Sequence, residues 1–518
     1  MGNPKSALAH DADGALAAGS AGSVSLSDLH WRWVHILAGP ALFFVSLALP
    51  VLGPLNARFG FGILFWMIYW WVTVPIDIKA TCLVPLLVAA AYPYMPLDKV
   101  VASYADKEML LIIGMSMMTA AWARWGFARR IGLHFLSVVG NNVQAQTVAW
   151  FWLCGVVSFV VANTPVGAIF APVAVAALLY SGYQSFEQRY KSAAASNILI
   201  AVSWGAAVGG MTTPLGGGQA VVTLAFFEKY IQHEVYFIDW TIRMLPLSLL
   251  VMTGMSIMMY FFMRPEIAEF KGSKDYYRKE LAKIGPMTYE EKVISFAFLL
   301  VVGLAVLKPL YAQYVKGPHF AWLNFSPLFF IVASLLFFWP ARTKKGENII
   351  SIPTLVSHFP VTILFIWPAS VALGTILNDT GVSAVFAHWL QPFIAAGDVA
   401  AISAVTIGSN GLSQVTSDTA TAGVMMPLII KAFSHWNGLQ YGAVAFIWIA
   451  GASLSFSYAT ASATGAQGIV AGYGANLQRM FVFGIIGGVI SIAITILYFW
   501  VTVAVLKLDL YVLPPSTG

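Results

Sequence analysis

The chain has 518 residues, 59% of them hydrophobic and only 10% charged, with a mean hydropathy of +0.77. A soluble globular domain carries about 25% charged residues, so that class is excluded. The net charge of +6 is small for this length, reflects basic membrane-flanking loops, and gives no nucleic-acid surface.

The apolar runs are long and continuous, unlike the ~10-residue alternating segments of a lipid-spanning barrel. The expected fold is an all-α polytopic membrane protein with about eleven transmembrane helices plus two re-entrant hairpins in two inverted repeats. Residues 1–30 are rich in Ala, Gly and Ser, lack an apolar signal core, and are expected to form a disordered tail. A first transmembrane helix follows over 31–54. The first repeat is expected over 55–264. Within it, Phe61–Tyr94 holds Pro75, Asp77 and Lys79 and reads as two short spans, Asp77 and Lys79 pairing locally. Trp66, Trp70, Trp71 and the later Trp339 suit an aromatic belt. Met109–Ala123 runs into Arg124, Arg129 and Arg130. Thr147–Val161 is too short to cross. With Pro165–Tyr180 it reads as a re-entrant hairpin over about 147–180. Ile198 to Phe226 is a span interrupted at Gly209–Gln219, and Met244–Phe262 closes the repeat.

A basic linker, 265–289, carries Arg278, Lys279 and Lys283. The second repeat is expected over 290–506. Val293–Leu310 and Trp322–Trp339 separate the linker from the basic Arg342 and Lys344, so both basic loops fall on the cytoplasmic side. Pro360–Leu377 crosses outward towards Asp379 and His388. Val399–Leu412 has 14 residues. That is about 21 Å of helix, against a hydrocarbon core of about 30 Å. It reads as half of a second hairpin, about 399–434, entering from outside, whereas the first enters from the cytoplasm. Gly442–Gly474 is a broken span, and Phe481–Val505 the last one. A C-terminal tail, 507–518, then lies outside and the N-terminus inside the cell membrane.

Both hairpins carry a polar break. Asn163-Thr164-Pro165 precedes Pro172, and Asp418-Thr419-Ala420 precedes Pro427, with nine positions from Asn163 or Asp418 to the proline. Gly126 and Gly381 each lie 37 positions before those polar residues. Matched polar breaks in two halves of an apolar chain point to a transporter's binding site. A helix that starts at mid-membrane offers free N–H groups and the positive end of its dipole, which favour an anion. Asn163 or Thr164 is expected as one N-cap with Pro165 in the first helical position, and Asp418 or Thr419 as the other. Each hairpin has a Gly-rich partner, Gly209 to Gln219 and Ala461 to Gly468, each holding a Gly-x-Gln triplet. Unwound backbone frees carbonyl oxygens for a small hard cation. The competing account is that these glycines serve close helix packing.

These residues resemble the divalent anion/sodium symporter family, the carriers of dicarboxylates, citrate and sulfate. Members carry Ser-Asn-Thr at both hairpin tips and Gly-rich loops often ending Thr-Pro-Pro-Asn. Here the tips read Ala162-Asn163-Thr164 and Ser417-Asp418-Thr419, and Thr464-Gly465-Ala466-Gln467 and Gly217-Gly218-Gln219 stand near the loop positions. The resemblance covers roughly 35–505. It implies scaffold and transport domains, an elevator-type movement, a homodimer in the bilayer, a small anionic substrate and sodium coupling. By position it implies a first sodium site of Ser158, Asn163 and a carbonyl near Gly217. The second would use Ser413, Ser417, Asp418 and a carbonyl near Ala463. Asn163, Thr164, Ser417, Asp418 and Thr419 would face the substrate.

Asp418 departs from the family by placing a carboxylate where an amide is expected, next to a dianion. Three roles fit it: a stronger sodium ligand, a carrier of a coupling proton, or a partner for the ammonium of an amino-sulfonate or amino acid. A sodium/proton antiporter using Asp418 and Asp379 is the competing transporter. An enzyme is not expected, since no P-loop, Gly-x-Ser-x-Gly elbow or metal-spaced cluster occurs. No organic cofactor is expected. Cys82 and Cys154 are isolated and set no disulfide framework.

Overall fold

A computed structural model describes residues 26–92, 97–104, 109–232, 234–270, 273–315, 317–344, 346–358, 363–433, 442–461 and 463–512. The expected tail up to residue 25, Ser462 in the second Gly-rich segment, and the last six residues lie outside these. Among the described residues every regular element is helical, and extended pairing is limited to two isolated bridges.

The principal helices of the first half are α1 Leu26–Ala48, α2 Leu55–Thr73, α3 Met109–Trp125, α4 Phe127–Ser137, α5 Val143–Ser158, α6 Asn163–Tyr180, α7 Ala193–Gly209, α8 Gly218–Ile231 and α9 Phe237–Phe262. After α10, Ser273–Ile284, the second half follows with α11 Tyr289–Tyr311, α12 Phe325–Leu335, α13 Ile363–Asp379, α14 Val382–Ala395, α15 Asp398–Val415 and α16 Asp418–Phe433. It ends with α17 Gly442–Ser453, α18 Gly465–Gly472 and α19 Leu477–Phe499. The first helix thus starts at Leu26, inside the segment expected to be tail.

Among the described residues, five helices are long and apolar enough to cross a membrane, or seven if each bent pair counts once, against the eleven spans expected. Four further apolar helices are shorter, including α7, which ends at a Gly-rich break, and α12, which ends in an apolar turn before Pro340. At 18 residues α6 is itself one of the five, longer than the half-hairpin expected there.

The two halves repeat one succession. A bent pair (α3–α4, α13–α14) leads to two helices joined at a polar tip (α5–α6, α15–α16). A broken helix (α7–α8, α17–α18) and a long apolar helix (α9, α19) follow. The bends are 61° and 77°. Each turns on a glycine with positive φ, Gly126 at 76° and Gly381 at 86°, the two glycines equally spaced from the tips. A Cβ at either would meet nothing within 4 Å, so only the left-handed backbone opposes a side chain. Gly126→Ala and Gly381→Ala should each lower stability by about 1 kcal/mol, read as a drop in thermal midpoint. Gly303→Ala, also open but inside α11, should not lower it.

The tryptophans expected in a lipid belt are instead packed. Trp66, Trp70 and Trp71 are buried, and Trp66 and Trp70 meet edge-to-face at 5.2 Å against Gly39 of α1. Trp339 remains exposed. Asp77 and Lys79 do pair locally, at 2.7 Å. The linker is more than a loop: α10 lies along α4, where Arg129 meets Glu280 at 2.7 Å. Buried Arg130 makes a two-pronged pair with Glu291 at 2.9 Å and donates to the Gly285 and Pro286 carbonyls. This fork satisfies a buried charge pair that would otherwise be costly.

Candidate functional site

The first tip is the turn from α5 to α6. The helix starts at Asn163, preceded by Ala162, which has no side chain to cap it. Asn163 is thus the first helical residue rather than the cap, and its Oδ1 accepts from Thr164 N at 2.7 Å. Pro165 falls in the third helical position rather than the first. Asn163 N donates to the Gly216 carbonyl at 3.0 Å, which fastens the tip to the first Gly-rich break. Ser158 Oγ donates to the Ala206 carbonyl at 2.7 Å, and Thr213 donates to the Phe159 carbonyl. A Cβ on Gly216 would lie 2.5 Å from the Ser158 carbonyl oxygen, so this approach needs glycine. Gly217 is extended, with the Gln219 side chain folded against it.

The second tip is organised by hydroxyls. Ser417 Oγ accepts from Ala420 N at 3.2 Å, in the manner of an N-cap, so the cap is neither Asp418 nor Thr419. This leaves Asp418 free to turn inward, where it is only 3% exposed. Its Oδ1 accepts from Ser413 Oγ at 2.8 Å. Ser457 Oγ donates to Ser413 Oγ at 2.7 Å, and Ser413 Oγ also lies 3.0 Å from the Leu454 carbonyl. Asp418 Oδ2 has no partner among the described residues. A carboxylate, two hydroxyls and a carbonyl therefore meet in one buried cluster without a basic side chain.

The second broken helix supplies this wall. After α17 the chain tightens into a short 3-10 turn, Leu454–Phe456, which presents the Leu454 carbonyl to Ser413. It resumes at α18 with a capping box between Thr464 and Gln467. Gln467 Nε2 donates back to the Ser457 carbonyl at 2.6 Å.

The halves interlock. α6 of the first hairpin packs on α18 of the second break, and α16 of the second hairpin packs on α8 after the first break. A Cβ on Gly465 would run into the Thr164 side chain, and one on Gly167 would sit 2.8 Å from the Ala466 Cα. Gln219 Nε2 reaches Ser455 Oγ at 3.0 Å. Both tips thus border one region, and Asn163, Thr164, Ser417 and Thr419 are half-buried there rather than sealed.

Of the expected ligands, Ser413 and Asp418 come together. Ser417 faces its own helix start, and Ala463 is buried without joining that hydrogen-bonded cluster. Leu454 and Ser457 are the residues that bond Ser413 there. In the first half, Ser158 and Asn163 border one break, but Gly216, not Gly217, provides the carbonyl that meets Asn163. The repeated serines after Ala452 were the signal available for Ser457; nothing in the sequence marks which carbonyls turn inward. Asp379, the second acid of the antiporter reading, pairs with Lys99 at 3.1 Å.

A family model described as the sodium:sulfate symporter transmembrane region matches residues 27–506. The sodium-dependent dicarboxylate transporter SdcS of Staphylococcus saprophyticus is 24% identical over 407 residues, covering 76% of this chain and 77% of that protein. The protein of the same name from Staphylococcus aureus is 22% identical over 412 residues, at the same coverage. The crystal structure of the YdaH transporter of Alcanivorax borkumensis, described as having an unusual topology, aligns with a TM-score of 0.46 and 11% identity, covering 78% of this chain and 88% of that one. The match runs from the first helix through the last long one and spans both tips and both breaks, so this chain belongs to the sodium:sulfate symporter family of membrane transporters and is not an enzyme.

Proposed function

We propose that this chain is a sodium-coupled secondary carrier of small dianions of the dicarboxylate, sulfate or sulfonate type. The observation that carries the reading is the buried Asp418–Ser413–Ser457–Leu454 cluster beside a half-buried polar helix start. An all-oxygen set with one formal charge suits a hard monovalent cation. Sodium is cargo here, held at Asp418 and Ser413 with Ser457 and the Leu454 carbonyl, and with Ser417 and Ala463 at the margin. A second ion takes Ser158, Asn163 and the Gly216–Gly217 backbone. Asn163, Thr164, Ser417, Asp418 and Thr419 bind the anion through hydroxyls, amides and two helix starts. The two positive ions offset the dianion, so neither ion nor anion moves favourably alone. The named dicarboxylate activity of the SdcS relatives supports the same class of cargo.

The repeated helix succession supports two inverted repeats, 55–264 and 290–506, with eleven spans completed by the shorter apolar helices. It also supports an elevator movement of the interlocked tips and breaks against α3 and α12, which pack on each other. The protein works as a homodimer in the cell membrane, its N-terminus cytoplasmic and its C-terminus outside. The test is uptake of labelled succinate and sulfate into proteoliposomes, with and without an inward sodium gradient. Uptake of either that collapses when the gradient is dissipated is expected. Sodium movement with no anion at all would overturn the reading in favour of a sodium/proton antiporter. The unpaired Asp418 Oδ2 favours one further alternative, a proton-coupled carrier of amino-sulfonates or amino acids.

A further inference from the structure

Gln219 and Gln467 close the two Gly-x-Gln triplets, and their surroundings differ. Gln467 is fully used: its Oε1 accepts from Thr464 N and Oγ1 at 3.0 and 3.1 Å, and its Nε2 donates to Ser457. Gln219 is 1% exposed at the second position of α8. Its Nε2 is bonded to Ser455, but its Oε1 is buried with no partner among the described residues. The cause is local. Thr464 offers a capping hydroxyl, whereas Gly217 at the same place in the first break has no side chain. The Gln219 carboxamide instead folds over Gly217, next to the Gly216 carbonyl that receives Asn163 N.

A buried amide oxygen left without a donor destabilises the fold, so its persistence calls for an occupant. Asp418 Oδ2 is a second such oxygen, in the first turn of α16, which packs on α8. Both residues bond into the same 454–457 segment, Gln219 through Ser455 and Asp418 through Ser413 and Ser457. The orphaned atoms are acceptors, which the oxygens of an anion cannot satisfy. The proposed sodium ion takes Asp418 Oδ2, which leaves the Gln219 amide oxygen as the acceptor open to a donor on the ligand.

We propose that Gln219 is a specificity-determining residue, whose Oε1 accepts a hydrogen bond from a hydroxyl or ammonium group carried by the substrate between its anionic ends. The inference rests on the carrier reading above. It makes a four-carbon dicarboxylate substituted at C2 better cargo than the unsubstituted one.

The test uses the full chain in proteoliposomes and compares succinate, malate and aspartate, which differ at C2 only in a hydrogen, a hydroxyl or an ammonium. Malate or aspartate should half-saturate uptake at a concentration about tenfold below succinate, and the better of the two names the donor. Gln219→Leu should bring that ratio close to one. Gln219→Glu keeps an acceptor and should preserve it, which covers the case of a Leu variant that does not fold. Equal affinities in the natural chain, or a preference that survives Gln219→Leu, would assign the oxygen to a buried water and overturn the proposal. A weaker sodium dependence with an unchanged preference would assign it to a cation and overturn the proposal as well. Uptake of sulfate but of none of the three would sink this inference while leaving the carrier reading standing. Refusal of all four anions would sink both.

Discussion

Asp418→Asn is expected to raise the sodium concentration for half-maximal uptake by about 100-fold, equivalent to about 3 kcal/mol. The substitution is nearly isosteric and keeps an oxygen for Ser413 Oγ, so the tip retains its shape. What it removes is the one formal charge in a buried cluster whose other oxygens belong to Ser413, Ser457 and Leu454. With little solvent to replace that charge, the cation loses its strongest partner. A binding readout separates this from a general defect. The natural chain should gain about 2.7 kcal/mol of stability at a sodium concentration 100 times its dissociation constant. The variant should show almost none of that gain at the same concentration, while in sodium-free buffer it should be at least as stable, since no buried carboxylate is left uncompensated. Unchanged ion dependence together with unchanged substrate choice would remove Asp418 from every role considered for it, whether sodium ligand, proton carrier or ammonium partner.

Gly209→Ala should cost about 3 kcal/mol or more and leave little folded protein. A Cβ there would run into the Gly155 carbonyl, with the Gly155 carbonyl carbon and Cα at 2.7 and 2.8 Å. These are backbone atoms, so no rotamer change relieves the clash. Gly205, one helical turn earlier, presses on the Phe151 carbonyl in the same way. Together they are a small-xxx-small contact that brings α5 and α7 into backbone contact. Forcing the helices apart would also draw the Ala206 carbonyl away from Ser158 Oγ and move the break that holds Asn163. Thermal midpoint and folded yield, measured beside Gly303→Ala, decide the matter. A variant as stable as the natural chain would mean that the two helices do not meet along this seam.

That seam also divides the two accounts of the first Gly-rich segment. Gly209 at its start serves helix packing, whereas Gly216 and Gly217 at its end border the tip. The packing account holds at Gly209, while the ligand account stays a proposal for Gly216 and Gly217, and a run of glycines in a sequence carries no mark of where one use stops. The N-caps differ from expectation for a related reason. Asn, Asp, Ser and Thr all accept from helix N–H groups, so Ser417, Asp418 and Thr419 are equivalent as far as residue type goes. The chain path selects Ser417 and so frees the carboxylate for Ser413.

Composition placed this chain in a membrane, since so few charges over so many residues leave no other solvent for it, and the long continuous apolar runs made its spans helices. Equal intervals from Gly126 and Gly381 to the tips, and from the tips to Pro172 and Pro427, marked the two halves as a repeat, and the tip and loop motifs carried the resemblance to the family. The bends at Gly126 and Gly381 follow from the same spacing and need only a residue free to take positive φ. Only the tertiary structure decided which half completes which site. Gln219 reaching Ser455, and Thr164 resting on Gly465, join residues more than 200 positions apart. It also decided that the Leu454 and Gly216 carbonyls meet Ser413 and Asn163 at the tips. Every residue has the same carbonyl, and the direction it faces is set by how a broken helix tightens against its neighbours.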